Sequence, residues 1–405
     1  MFALLFFINI AFALPNHYSL EQDRHLNSRK VYLTPKQTHK KLTRAHKLMS
    51  DKSTVDQAIK YLKDLEHKVS QRPYELALVK QNLGYAYVNK NEMNKALKIF
   101  DEALALKVLP SAVTKTLMYN AARILTSLNQ FDEAQKRLQE WFAVTEKPAA
   151  QAYVLMARIL FEKKQKKEAL EYVDYAISKS TKPQEDWLQL SVALNYELKN
   201  YKAVATSLEY LTAQYPKKKN YWKQLSGVYL HLNNYAKSLA TLELARKWGH
   251  LETEAEMLNL VSLFLMESYP YQAGKLLSQW IKEGRIKDNK KNYEILANAW
   301  MQSEELTKAL EPLAKAAEQS EDGQLWLQLG QINMELEKWE DAIDAIEKSL
   351  AKGHLKKPGV ALISLGISYF SLGNTKKAHD AFEKALKTPD MKKSAEQWLQ
   401  HLAMM

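Results

Sequence analysis

The chain contains no cysteine. That excludes disulfides, thiolate nucleophiles and cysteine-ligated zinc together, and leaves the compartment open. Glycine and proline are also scarce, 11 of each in 405 residues. With abundant Ala, Leu, Lys and Glu, this scarcity favours helix throughout. No run of alternating β-branched residues is long enough to predict a strand. No apolar run reaches the roughly 20 residues that cross a bilayer core. Signatures of chemistry are missing as well: there is no HExxH, no GxSxG and no glycine-rich phosphate loop. The ten histidines are scattered, and His39 and His46, seven residues apart, share at most a solvated helix face. Carboxylate pairs such as Glu304-Glu305 and Glu340-Asp341 fall near predicted helix starts, where negative charge favours the helix dipole. The sequence therefore predicts no catalytic residue, no metal site and no cofactor.

What is present is a repeated apolar period. From Leu325 to Leu350 the chain carries Leu325, Leu329, Ile332 and Leu336 at helical spacing, then a polar break at Glu337-Lys338, then Ala342, Ile346 and Leu350. Two amphipathic helices joined by so short a break must lie antiparallel. A small residue opens the second helix of each such pair, where two helices cross too closely for a larger side chain. It recurs at Ala58, Ala96, Ala134, Ala169, Ala203, Ser238, Ala273, Ala309, Ala342 and Ala378, which predicts ten pairs over residues 35–390. Breakers fall between pairs: Pro73, Pro110, Pro148, Pro183 and Pro216, then Gly249, Gly284, Gly323, Gly353 and Pro389. The first pair, Thr38 to Lys68, is degenerate, and residues 391–405, with Trp398 and Leu402 on one face, predict a solvating last helix. Tyr269-Pro270-Tyr271 sits at a turn where polar residues are usual, and Pro312 falls inside a second helix. A local kink is expected there.

Trp326, Leu329 and Gly330 followed by Ala342, and Leu365, Gly366 and Tyr369 followed by Ala378, Phe382, Ala385 and Pro389, fill the landmarks of the 34-residue tetratricopeptide repeat. The chain resembles that family. The resemblance implies an all-α fold, an α-solenoid of about ten repeats in a right-handed superhelix. It also implies a groove lined by the first helix of each repeat, with non-landmark positions facing a protein ligand. Carried onto this sequence, those positions are Tyr119, Arg123, Arg158, Phe161, Asn195, Lys223, Asn298, Met301, Gln331 and Met334. Their mixture of cations, amides and flexible apolar groups suits an extended peptide or a partner helix. A carboxylate clamp is not legible, because Glu294 stands where it would need Lys, beside Asn298.

Residues 1–13, MFALLFFINIAFA, read as a signal peptide cut after Ala13, although no Lys or Arg precedes the apolar run. Residues 14–34 read as a flexible leader. The expected location is the periplasm. Residues 14–70 hold 12 Lys and Arg against 6 Asp and Glu, in a chain whose net charge is +12. That basic segment could touch an anionic membrane surface or an acidic partner. Nucleic acid is not an expected partner, since the aromatic residues are accounted for by repeat packing. The stretches Tyr221–Ala245, Tyr293–Trp300 and Leu325–Ile332 with Lys356-Lys357-Pro358-Gly359 make the chain similar to exported repeat proteins that accompany TonB, ExbB and ExbD in Gram-negative bacteria. That resemblance implies a scaffold that holds TonB or an associated periplasmic component during iron-complex uptake. The alternative reading is a periplasmic interaction module for outer-membrane or cell-wall assembly.

Overall fold

A computed structural model describes residues 35–404. The expected signal peptide and leader lie outside the described residues. Among the described residues there are 21 α-helices and no strand. They form two compact units that divide within one helix, after Ser207. In chain order the first unit holds α1 (Lys36–Met49), α2 (Val55–Lys68), α3 (Pro73–Asn89), α4 (Met93–Ala105), α5 (Ser111–Ser127), α6 (Phe131–Ala143), α7 (Ala150–Glu162), α8 (Lys166–Ser178) and α9 (Glu185–Glu197). Helix α10 (Tyr201–Gln214) contains the division. The second unit continues with α11 (Lys219–His231), α12 (Tyr235–Lys247), α13 (Glu254–Met266), α14 (Pro270–Lys282), α15 (Lys290–Gln302), α16 (Leu306–Glu318), α17 (Gln324–Glu335), α18 (Trp339–Lys352), α19 (Pro358–Ser371), α20 (Thr375–Leu386) and α21 (Lys392–Ala403). Within the units the helices pair as α1 with α2 through α7 with α8, and as α11 with α12 through α19 with α20. No helix of the described residues is long and apolar enough to cross a membrane.

The core of each pair follows from the small residue four positions into its second helix. Ala58, Ala96, Ala134, Ala169, Ser238, Ala273, Ala309, Ala342 and Ala378 all occupy that position and are fully buried. The fifth pair departs from the sequence expectation. Ala203 is exposed, and the fourth position of α10 is Val204, 1% exposed. The slot there accepts a larger side chain, and the adjacent alanine is not the one that fills it.

Opposite this position the first helix carries a landmark glycine. A Cβ on Gly84 would lie 2.3 Å from Phe100, one on Gly330 would lie 2.5 Å from Ile346, and one on Gly366 would lie 2.3 Å from Phe382. The glycine and the large residue on the facing helix thus form one interlocking contact, repeated along the chain. In the sixth pair serine replaces both small landmarks, and Ser226 Oγ and Ser238 Oγ are 2.8 Å apart and buried. The contact predicts a sign reversal. Glycine to alanine inside a helix normally stabilises, yet Gly366→Ala should cost about 2 kcal/mol because the new methyl overlaps the Phe382 ring. A urea midpoint at or above that of the parent would contradict this.

The turns inside the pairs share one geometry. From α3 onward, the residue two before each second helix has a positive φ: Asn91, Asn129, Lys164, Lys199, Asn233, Ser268, Glu304, Glu337 and Gly373. Each closes its first helix with a pair of reversed hydrogen bonds. At Glu337, for example, its N–H donates to Met334 O at 3.0 Å, and the Lys338 N–H donates to Asn333 O at 2.8 Å. Only one of the nine is glycine, so eight side chains sit in left-handed backbone at a cost. Glu337→Gly is expected to raise stability by about 0.5 to 1 kcal/mol, the relief of that strain less the entropy glycine adds to the unfolded chain. Differential scanning calorimetry checks it, and an unchanged or lower midpoint counts against the reading. The first pair differs, joined by a 3₁₀ turn at Lys52–Thr54 with Asp51 accepting from Ser53 N–H at 2.9 Å.

Pro270 is the first residue of α14, where its missing N–H costs nothing, so Tyr269-Pro270-Tyr271 opens a helix. Helix α16 runs unbroken from Leu306 to Glu318 through buried Pro312. The terminal helix closes the last pair: the Trp398 ring stacks on Phe382 at 5.3 Å and 9°.

Candidate partner-binding groove

All ten residues expected to face a ligand lie on first helices, but they do not share one environment. Arg123, Arg158, Lys223, Asn298 and Gln331 are exposed. Tyr119 is half-buried with its ring 5.2 Å from Trp141. Burial raises its phenol above the ordinary value, and Arg123 and Arg158 counter the shift, so the fold brings these three predicted residues together. Arg158 also pairs with Asp186. Phe161, Met301 and Met334 are half-buried against apolar clusters, and Met301 Sδ accepts from Gln328 Nε2 at 3.4 Å. Asn195 is not a ligand-facing residue. It is 4% exposed, its amide donates to Ser191 O at 3.0 Å, and its Oδ1 accepts from Asn200 at 3.3 Å.

Lys223 lies on a well-formed groove. A cavity of about 600 Å³ opens between α11 and α13, with α12 behind it. Helix α11 contributes Lys219, Asn220, Lys223, Gly227 and Leu230 to its wall. Helix α13 contributes Asn259, Ser262, Leu263 and Met266, and α12 contributes Leu242 and Ala245. Sequence fixes this arrangement locally. Thr253 and Glu256 form a capping box that starts α13: Glu256 N–H donates to Thr253 Oγ1 at 3.3 Å, and Glu256 Oε2 accepts from Thr253 N–H at 3.1 Å. One end of the groove is pinned through Pro216, whose carbonyl accepts from Trp222 Nε1 at 2.9 Å and lies 2.7 Å from His250 Nε2.

The electrostatics of that end follow from the cap. Burial alone would raise the Glu256 carboxyl, but the Thr253 and Glu252 backbone amides and Lys223 hold it below its ordinary value. Lys223 reaches Glu256 Oε1 at 3.7 Å with its own side chain 75% exposed. Lys219 pairs with Glu252, which raises the Lys219 pKa. At the opposite end Leu230 and Met266 are exposed on the two walls. The groove thus carries paired charges at one end, with Lys223 the more loosely held cation, is apolar at the other, and is edged by the amides of Asn220 and Asn259.

A second cleft, about 660 Å³, lies between α14 and α16. Two of its three lysines are already engaged. Lys308 Nζ bonds Glu305 at 3.0 Å and sits 5.0 Å from the Trp300 ring, while Lys315 Nζ bonds Glu311 at 2.8 Å and sits 5.2 Å from the Tyr293 ring. Sequence reasoning found only Lys223 of the groove. The signal it passed over is Gly227, which stands one residue after Ser226, the position that aligns with the landmark glycines.

Family models for the tetratricopeptide repeat match residues 77–107, 119–185 and 360–388. No curated protein matches the chain. Among solved structures, a tetratricopeptide repeat protein from Parabacteroides merdae is 17% identical, covering 63% of this chain and 98% of its own, with a TM-score of 0.33. The MamA protein is 20% identical over 44% of this chain and 94% of its own, at 0.34. YrrB, a repeat protein with an unusual peptide-binding site, is 16% identical over 45% and 92%, at 0.34.

Proposed function

We propose, from the premise that this chain carries tetratricopeptide repeats, that it is a non-catalytic scaffold that holds a protein partner along its first helices. The observation that carries the reading is the groove between α11 and α13, with separate charged, amide and apolar surfaces and its walls fixed by a capping box and buried landmarks. Such a surface binds an extended segment through side-chain amides and local charge, without any reacting group.

The finer part of the proposal is that the partner is TonB or an associated component of the TonB–ExbB–ExbD system, met in the periplasm. Its support is the sequence similarity of Tyr221–Ala245 and Tyr293–Trp300 to exported repeat proteins of that system. The apolar N-terminal stretch ending in Ala11-Phe12-Ala13 supports export. The first of those segments contains most of α11 and α12, two of the three helices that build the groove.

The test is in vivo crosslinking and recovery of the tagged full chain from the cell envelope, together with growth of a deletion strain under iron limitation. Recovery of a TonB-system component and a growth defect relieved by free iron are expected. Recovery of outer-membrane or cell-wall assembly proteins with normal iron uptake would transfer the scaffold to envelope assembly.

A further inference from the structure

Gly227 is a helical glycine that packing does not explain. A Cβ at Gly84, Gly274, Gly330 or Gly366 would run into Phe100, Trp300, Ile346 or Phe382, whereas at Gly227 it meets nothing within 4 Å. Helix α11 therefore gives up helix propensity at this point to leave the groove wall bare, as happens where another chain approaches a backbone closely. Lys223 lies one turn earlier on the same face. Its Glu256 contact is loose, at 3.7 Å, because the other Glu256 oxygen already takes the Glu252 and Thr253 amides at 3.0 and 3.1 Å. Lys219, on the same wall, is already paired with Glu252, so Lys223 is the cation this wall offers. Beyond Gly227, Leu230 is 41% exposed and Met266 is 56% exposed.

Four helical residues separate Lys223 from Gly227, a rise of about 6 Å. An extended chain covers about 6.6 Å in two residues, and residues i and i+2 point the same way. We propose that this groove takes an extended segment of a protein partner in which an acidic residue is followed two positions later by a large apolar one. The carboxylate meets Lys223, and the apolar side chain covers Gly227 between Leu230 and Met266. This rests on the scaffold reading and adds the chemistry of the segment it selects.

The experiment is fluorescence anisotropy of the full chain with labelled twelve-residue peptides carrying a central Glu-Ser-Phe, Lys-Ser-Phe or Glu-Ser-Ser. The Glu-Ser-Phe probe is expected to bind at least tenfold more tightly than either other probe, and to weaken as salt is added. Gly227→Leu should reduce its affinity at least tenfold, while Gly227→Ala, whose methyl meets nothing in the folded chain, keeps the fold and raises its melting temperature slightly. Lys223→Glu should weaken Glu-Ser-Phe and improve Lys-Ser-Phe. Equal binding of the three probes, or indifference to Gly227→Leu and Lys223→Glu, overturns the proposal. If the cellular partner is still captured by the Gly227→Leu chain, the scaffold reading stands and the assignment of this groove falls. If the parent chain captures no partner and binds no probe, both fall. A dimer seen in sedimentation and abolished by Gly227→Leu would give the groove to a second copy and overturn the peptide assignment.

Discussion

Replacing Ala342 by glutamate should lower stability by about 3 kcal/mol or more, the largest loss expected from a single change in the second unit. Ala342 is fully buried at the fourth position of α18. Gly330 faces it so closely that even a Cβ there would come within 3.3 Å of the Ala342 carbonyl. A carboxylate cannot reach water from that position without parting α17 from α18. Ala351, on the same helix but exposed, provides the control. Ala351→Glu should leave the thermal midpoint nearly unchanged, because helix propensity changes little and nothing is buried. A melting curve that responds equally to the two substitutions would place the helix crossing elsewhere.

The second large effect is expected at Asp174, in the first unit. Its carboxyl is pushed up to about 6 by burial, which outweighs the hydrogen bond it accepts from Ser191 Oγ at 3.0 Å. The ordinary value is 3.8. A raised carboxyl binds its proton more tightly in the folded chain, so its contribution to stability is fully present below pH 4. That contribution is lost as pH rises through 6. A shift of this size corresponds to about 3 kcal/mol at neutral pH. Asp174→Asn keeps an oxygen to accept from Ser191 and removes the buried charge. The variant should therefore be more stable than the parent at pH 7.5, by up to about 3 kcal/mol, and should differ little from it at pH 4. Chemical denaturation at the two pH values measures both. A variant that is equally or less stable at pH 7.5 would mean that the ionised carboxylate is well solvated in the folded state.

Both predictions depend on features that differ in how openly the sequence displays them. The helix pairs and their number were legible, because the residue at each crossing must be small and the spacing of such residues repeats. The reading slipped at the fifth pair because two candidates are adjacent. Ala203 looks like the crossing residue by type, while Val204 is the one buried by the phase of α10. The left-handed turn residues were only partly legible: Gly373 and, more weakly, Asn91, Asn129 and Asn233 advertise a positive φ by their chemistry, and the other five do not. The others are held there by the paired hydrogen bonds that end the helix, a property of the pair and not of the residue.

The candidate site was legible to a lesser degree. Counting landmark positions places a residue on the first helix and on its outward side. It cannot tell whether that side is open to solvent or covered by the next helix. Asn195 shows the difference, its amide turned back onto Ser191 within its own helix. Phe161, Met301 and Met334 show it again, drawn partly into apolar clusters by their size. The groove itself required the second wall, α13, which is more than 20 residues away in sequence from Gly227. Even so, a glycine one position out of register was visible in the sequence, and it marks the place where the wall is bare.

The most direct measurement is site-specific photo-crosslinking in the cell, with the reactive residue placed at Asn259 in the groove or at Lys275 on α14, which is exposed outside it. The account predicts a discrete adduct with one protein from Asn259, lost when Gly227 is changed to leucine, and no such adduct from Lys275. An adduct of equal yield from both positions, or one from Lys275 alone, would contradict the claim that the first helices carry the function.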